Sequence, residues 1–447
     1  GVFLFMVESA LMIQFKIRCR LALPALLSLA GALRAEPGSL NLGVDYGLRG
    51  VATLNPDANG STSGTLNYYS QSARLSLATE LSPGVDVDFR IRSLNVWGLE
   101  GSGAPLVRYP AADGTPWVER AAARLAGLAW NRLTLTLGRQ PFLLGDGVLV
   151  SDDELGFNGL RADVKLPKNL DLTLFTAKIS ESLGAGDDSD LILGSLGFSR
   201  DINRWELSWL REKTGAASVY QLATGTAAAT DVRRDFIDLR LFGDLKDAYY
   251  KLELAFESGE AQIGGANTSI GGSGQRIELG AQTDASRWGR FGVKALYASG
   301  SGDDAGTPTK DESFQPSFTR RWDGFERAGF GSYFGASLSD VFNASAPFSN
   351  GGSGLPLGAS GVKTLGLGLS TVQKVKWTAS LDYYLFDSRV KVSGLNSLGS
   401  EADLTLVYRH SGYVTFAAGA AYFFPGDLYG PDASRVSRYT AETQIHF

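Results

Sequence analysis

Polar and apolar residues exchange places at every second position over most of the chain. In "LNLGVDYGLR", Leu40, Leu42, Val44, Tyr46 and Leu48 share one face, and Asn41, Asp45 and Arg49 the other. "DVDFRIR" sets Val87, Phe89 and Ile91 against Asp86, Asp88, Arg90 and Arg92. Leu160, Ala162, Val164 and Leu166 oppose Arg161, Asp163 and Lys165, and Tyr250, Leu252, Leu254 and Phe256 oppose Lys251, Glu253 and Glu257. Such alternation, sustained over roughly ten residues at a time, is the pattern of a transmembrane barrel strand, with one face toward lipid and the other toward a polar interior.

The pattern predicts an all-β, antiparallel up-and-down barrel. Its strands are expected at 40–53, 66–81, 85–98, 118–130, 131–140, 157–166, 170–181, 189–199, 204–214, 231–243, 248–260, 273–284, 289–300, 362–371, 375–388, 399–410, 412–424 and 434–447. The connections give an independent signal. Short ones ("SPG", "PKN", "RDIN", "RHSG") alternate with long ones (99–117, 141–156, 215–230, 301–361), as periplasmic turns alternate with extracellular loops. The even total of 18 strands places both ends of the wall on the periplasmic side. Counts of 16 or 20 stay open. Residues 118–130 have no cleanly apolar face, and "RAGFGSYFGASLSD" within 301–361 could be a further strand, a folded loop or an inserted constriction.

The N-terminal region changes the compartment. Residues 1–11 read as an extension from a start placed too far upstream. Residues 12–35 read as a secretory signal: Lys16, Arg18 and Arg20 precede the apolar "LALPALLSLAGAL", with cleavage expected after Ala32 or Ala35. Residues 36–447 are then one outer-membrane barrel. The lone cysteine, Cys19, falls in the signal, so the mature chain has no thiol for disulfide or metal chemistry. No later segment reaches 18 consecutive apolar residues, so helices do not supply a membrane span. The 55 glycines among 447 residues fit repeated strands and tight turns, and Trp130, Trp205, Trp288 and Trp377 fall beside short turns, where an interfacial girdle belongs. Phe447 ends an amphipathic strand in the manner of the signal read by the barrel-assembly machinery.

At "LGRQPFLLGDGVLV…FNGLR" (137–161) the chain begins to resemble the alginate-export family of outer-membrane porins. The resemblance returns at "ALYASGSGDDA…DESFQPSF…GSYFG" (295–335) and at "LGSEADLTLVYRHSGYVTFAAGAAYFFPGD" (398–427). It implies a monomeric 18-stranded barrel with a charged lumen that passes anionic polysaccharide or other small polar solutes.

Little else in the sequence offers chemistry. "GDG" (145–147) is read as a turn with left-handed glycines, in which Asp146 bonds nearby backbone, in preference to a loop over the pore mouth. "GDDSD" (186–190) and "SGDDAG" (301–306) lack the late bidentate Glu of a calcium loop and are read as solvated, so no metal or cofactor is expected. No Ser motif lies near His410 or His446, which argues against an enzyme, and no basic run suits nucleic acid. The expected role is a channel for small polar or anionic solutes. A plugged barrel working as a structural or adhesion protein through its loops is the alternative. The expected pore-lining residues are Arg49, Arg74, Asp86, Asp88, Arg90, Arg92, Arg161, Asp163, Lys165, Arg240, Lys251, Glu253, Arg276 and Lys294. Further inward acids are Asp45, Asp171, Glu206, Asp238, Glu257, Glu278 and Asp382. The two signs are nearly balanced, so charge count alone does not choose anion over cation.

Overall fold

The computed structural model describes residues 40–447, except 59–63, 99–112, 153, 182–187, 216–217, 223–224, 284–289, 305–306, 308, 319–321, 324–325, 339–354, 357 and 373–375. The segment expected to be a signal, Trp288 and parts of both acidic loops therefore lie outside the described residues.

Eighteen strands form one closed wall. The first nine are β1 (Asn41–Leu54), β2 (Thr65–Ser82), β3 (Val85–Val96), β4 (Trp117–Gly127), β5 (Leu133–Gln140), β6 (Phe157–Leu166), β7 (Leu170–Ser180), β8 (Ser189–Arg200) and β9 (Asn203–Thr214). The second nine are β10 (Gly225–Leu245), β11 (Ala248–Ile263), β12 (Ala266–Thr283), β13 (Arg290–Gly300), β14 (Val362–Val372), β15 (Trp377–Val392), β16 (Leu395–Arg409), β17 (Val414–Pro425) and β18 (Val436–His446). Each pairs antiparallel with its sequence neighbours. The ring closes where β18 meets β1, from Asp45 opposite His446 to Leu54 opposite Ser437. Phe447 extends that seam, exchanging backbone hydrogen bonds with Val44.

The wall is longer on one rim than the alternation predicts. Positive φ at Gly264 and Gly265 (59° and 85°), and at Ser393 and Gly394 (53° and 85°), makes two-residue turns. Turns of that hand match strand twist, so β11–β12 and β15–β16 continue as tall hairpins where looser linkers are expected. Among the described residues of 301–361, only Lys310–Asp311 joins the wall, as a two-residue parallel pairing with Ser269–Ile270 of β12.

The ambiguous 118–130 resolves into β4 and a turn. The register slips between Arg90 and Ile91, which face Arg120 and Val118, leaving Glu119 as the extra residue of a bulge. The bulge lets Glu119 and Arg120 both point inward, which is why no two-residue alternation reads cleanly there. Beyond β4, Ala129, Trp130 and Asn131 all take positive φ, and Trp130 stands clear of the wall at 92% exposure.

Leucines including Leu42, Leu160, Leu207, Leu367 and Leu381 are exposed on the outer face. An apolar surface encircling the molecule exceeds what water tolerates and requires lipid. Trp205 and Trp377 sit near one rim, Trp377 stacked on Tyr408 at 4.5 Å. Buried apolar clusters lie inside the barrel. In one, Phe142 stacks on Phe175 (4.2 Å) beside Phe157, Leu191 and Phe236. In another, Tyr333 and Phe334 pack on Phe386 and Phe423. An 18-stranded wall is too wide for its own side chains to fill, and loops contribute both clusters.

Candidate functional site: the charged lumen

Alternation sends the charged faces of the strands inward, and most cations there meet an acid of the wall. Arg204 on β9 donates twice to Asp171 (2.9 and 2.8 Å) and once to Glu206. Arg240 on β10 bridges Glu206 and Glu253. Lys294 meets Asp382 at 2.7 Å, Arg120 meets Asp88 and Arg124 meets Asp86. Arg161 is held by Asp163. Nearer the loop rim, Arg234 is buried between Glu212 (2.9 Å) and Glu257 (3.1 Å).

A second set of cations is satisfied by acids that come from loops. The connection after β5 folds into the barrel as a ribbon of Leu143–Leu144 on Val150–Ser151. Its Asp146 lies 3.4 Å from Lys251 and 3.5 Å from Arg276, and its backbone amide donates to the buried Glu253. The "GDG" glycines do take positive φ, as the turn reading requires, but the turn sits inside the lumen and Asp146 contacts the opposite wall. Farther along, Glu154 accepts from both Arg74 and Arg92. Gly156 then turns the chain into β6 at a φ of 72°, where a Cβ would meet the Glu119 carbonyl at 2.3 Å.

The connection after β13 also turns inward. Glu326 accepts from Arg49, Arg438 and the Tyr68 hydroxyl. Burial alone would raise its pKa, but Arg438 and Arg49 outweigh burial and hold the carboxyl below its usual range. The turn that follows is clamped by β16. Glu401 accepts from the amides of Tyr333 (2.6 Å) and Phe334 (2.9 Å), and Asp403 from that of Ser332 (2.8 Å). Phe318 bridges in parallel to Val150, tying the two inserted segments together.

Space remains between the inserts and the wall. A cavity of about 580 Å³ is lined by Arg49, Asp146, Arg276, Lys294, Glu326 and Arg438. Another of about 290 Å³ is lined by Arg49, Arg74, Arg92, Glu154, Glu326 and His446. They share Arg49, Glu326 and Glu442 as lining, so the Arg49–Glu326 pair lies between them. Arg161, Asp163, Lys165 and Arg240 line a third cavity, of about 390 Å³, beside the Leu143 ribbon.

The expected lumen residues thus divide. Arg49, Arg74, Arg92, Arg276 and Lys294 gather around the first two cavities, and Lys251 reaches Asp146. Arg90 turns to Ser76 (3.0 Å) and Glu119 (3.4 Å). Asp86 and Asp88 are taken up by Arg124 and Arg120, and Glu253 is buried at 3% exposure. Sequence reasoning missed Arg438 and Glu442, although β18 alternates as regularly as β1. It also missed Glu119, hidden by the bulge, and the loop acids Glu154 and Glu326, which no periodicity marks.

A family model described as alginate export matches residues 115–337. Over this stretch the chain is similar to the alginate-export family. Two of the three segments that carry the resemblance, 137–161 and 295–335, fall inside the match. Solved structures agree on the fold. Acinetobacter baumannii OccAB2 aligns with a TM-score of 0.56 at 12% identity, covering 91% of this chain and 98% of that one. Pseudomonas aeruginosa OccK8 (OprE) gives 0.54 at 11% identity, covering 92% and 98%. P. aeruginosa OpdK, solved with vanillate, gives 0.52 at 12% identity, covering 91% and 98%. No curated protein sequence matches the chain. The family match and the closed barrel make this a bacterial outer-membrane protein of the porin type.

Proposed function

We propose that the barrel is a channel passing small anionic solutes, carboxylates first among them, across the outer membrane. The observation that carries this reading is the grouping of Arg49, Arg74, Arg92, Arg276 and Arg438 around two adjoining cavities. Guanidinium forks bind carboxylates through paired hydrogen bonds and replace part of the hydration a solute loses in a narrow passage. Wall and loop acids together hold those forks in position. The alginate-export match concerns an anionic cargo, and OpdK was solved with vanillate, itself a carboxylate. The reading needs no cofactor and no covalent step. His446 is hydrogen-bonded to Asp45 at the seam (2.6 Å), and His410 lies in the turn after β16.

Planar-bilayer recording with a salt gradient tests this. The expected result is steady conductance with a reversal potential on the anion side, displaced toward cations by Arg49→Glu with Arg74→Glu. A folded barrel that carries no current would favour the plugged, structural reading, which the apolar clusters inside the wall support.

Assembly belongs to the same proposal. Phe447 is 68% exposed beside the seam and is read as the segment the barrel-assembly machinery engages, with the product working as a monomer. Deleting Phe447 should lower the amount of folded barrel and leave the single-channel current of the surviving protein unchanged.

A further inference from the structure

Arg74 on β2 and Arg92 on β3 stand directly opposite each other in the ladder. Like charges so placed repel and call for an anion between them. In most of the lumen the answering acid belongs to the wall. Here it is Glu154, carried by the loop after β5, and one oxygen, Oε2, accepts from both guanidinium groups. Its side chain is 48% exposed, whereas that of Arg92 is 5% exposed. The backbone of Glu154 takes a φ of 62°, a strained conformation for a residue with a side chain. Burial would raise its pKa, but Arg92 and Arg74 outweigh burial and keep it ionised.

Both arginines have partners besides Glu154. Arg74 keeps Glu119 at 3.1 Å, and Glu119 is fixed in the bulge of β4. Arg92 keeps Ser72 at 3.3 Å and lies over the Trp117 ring at 5.8 Å. Removing the loop carboxylate would leave the pair in place, facing the 290 Å³ cavity with room for a small acid. Glu326 is the contrasting case. Its side chain is 8% exposed and is held by Arg49, Arg438 and Tyr68 together, as a fixed clamp.

We propose that Glu154 is a built-in competitor that occupies the Arg74–Arg92 anion site, so that a passing carboxylate binds there by displacing it. The loop acid then sets how strongly an anion must bind in order to be admitted. A solute carboxylate can bind both guanidinium groups with two oxygens where Glu154 uses one. This inference rests on the channel reading and adds the site at which selection takes place.

The test is current recording on the full barrel with sodium benzoate as the blocking probe, comparing parent, Glu154→Gln, Glu154→Asp and the double variant Arg74→Ala with Arg92→Ala. Glu154→Gln keeps the shape and removes the charge. It should lower the half-blocking benzoate concentration about tenfold and move the reversal potential toward anions. Glu154→Asp keeps the charge on a shorter arm and should fall between, which carries the test if the Gln variant fails to assemble, as judged by the mobility of the unheated barrel in detergent gels. The arginine double variant should lose most of the block. An unchanged half-blocking concentration in Glu154→Gln, with block still dependent on the two arginines, would overturn the competitor role and leave the channel reading standing. Weaker block in Glu154→Gln would also overturn it, by making Glu154 part of the binding site. Absence of current from a correctly folded parent would overturn the channel reading itself.

Discussion

On β9 and β10, Arg204 and Arg240 are held by Asp171, Glu206 and Glu253, all residues of the wall. On β2 and β3, Arg74 and Arg92 lean on Glu154, which belongs to a loop. The side-chain chemistry is the same in both regions, and the pairs differ in what tethers the anion. A wall acid cannot leave without breaking a ladder, so its partner is committed to structure. An exposed loop acid such as Glu154 can leave while the ladder stays intact, so its partners are available to a solute, whereas the buried loop acid Glu326 stays clamped. The tether and exposure of the carboxylate thus separate scaffold arginines from working ones more sharply than the location of the arginine does.

The most severe way to break that comparison is to remove a committed cation. Arg234→Ala strands the buried Glu212 and Glu257 and should cost about 3–5 kcal/mol, read as a lower urea midpoint of the refolded barrel. A loss near zero would place Arg234 with the exchangeable set. Next, the division of β11 into a lumen face and a lipid face can be tested one residue apart. Leu252→Arg should cost about 2–4 kcal/mol near the bilayer midplane, whereas Lys251→Arg should cost little and keep its reach toward Asp146. Equal costs would mean that the register is wrong.

A smaller effect is expected at the clamp. Gly331 has a φ of 84°, and a Cβ there would lie 2.5 Å from the Glu401 carboxylate. Gly331→Ala should weaken docking of the 326–338 turn by on the order of 1 kcal/mol or more, seen as faster amide exchange at Tyr333 and Phe334 with the wall unaffected.

The smallest effect is one of pH. Burial first, then the neighbouring Asp311, raises the pKa of Asp303 from 3.8 to about 6. Between those values the docked loop holds more protons than the undocked one. Docking of Asp303 against 309–315 is therefore strongest at the acidic end of that window and weakens as the pH climbs to 6. Asp303→Asn should abolish this dependence, and a dependence of the opposite sign in loop proteolysis rates would refute the assignment.

The wall was legible from the sequence because its signal is local. Two-residue alternation and loop rhythm placed all eighteen strands, and Asp86, Asp88, Arg90 and Arg92 could be turned inward on those grounds alone. Where one extra residue breaks the rhythm, as at Glu119, the same logic fails. The tall hairpins were missed although "GG" and "SG" were in plain view, because their strands run beyond the lipid band and lose the apolar signal there. The loop acids lay out of reach for another reason. Glu326 meets Arg49 across 277 residues of sequence, and no periodic pattern in a loop records such a meeting. Reading "GDG" as a turn was right about the glycines' backbone and wrong about the partners of Asp146, since dihedral preference is local and docking is not.

The seam between β18 and β1 has a kinetic meaning. Every other junction in the ring joins strands that follow one another in sequence and can form as each hairpin emerges. The last junction brings together residues such as Asp45 and His446, 401 positions apart. Closing a flexible loop of that size costs about 5 kcal/mol in chain entropy, from (3/2)RT ln n. Much of that cost disappears once the intervening hairpins have zipped and the sheet's own curl carries its two edges toward each other. Until then β1 and β18 present unpaired edges, which are open to pairing with another chain. The exposed interval ends only when Phe447 reaches Val44.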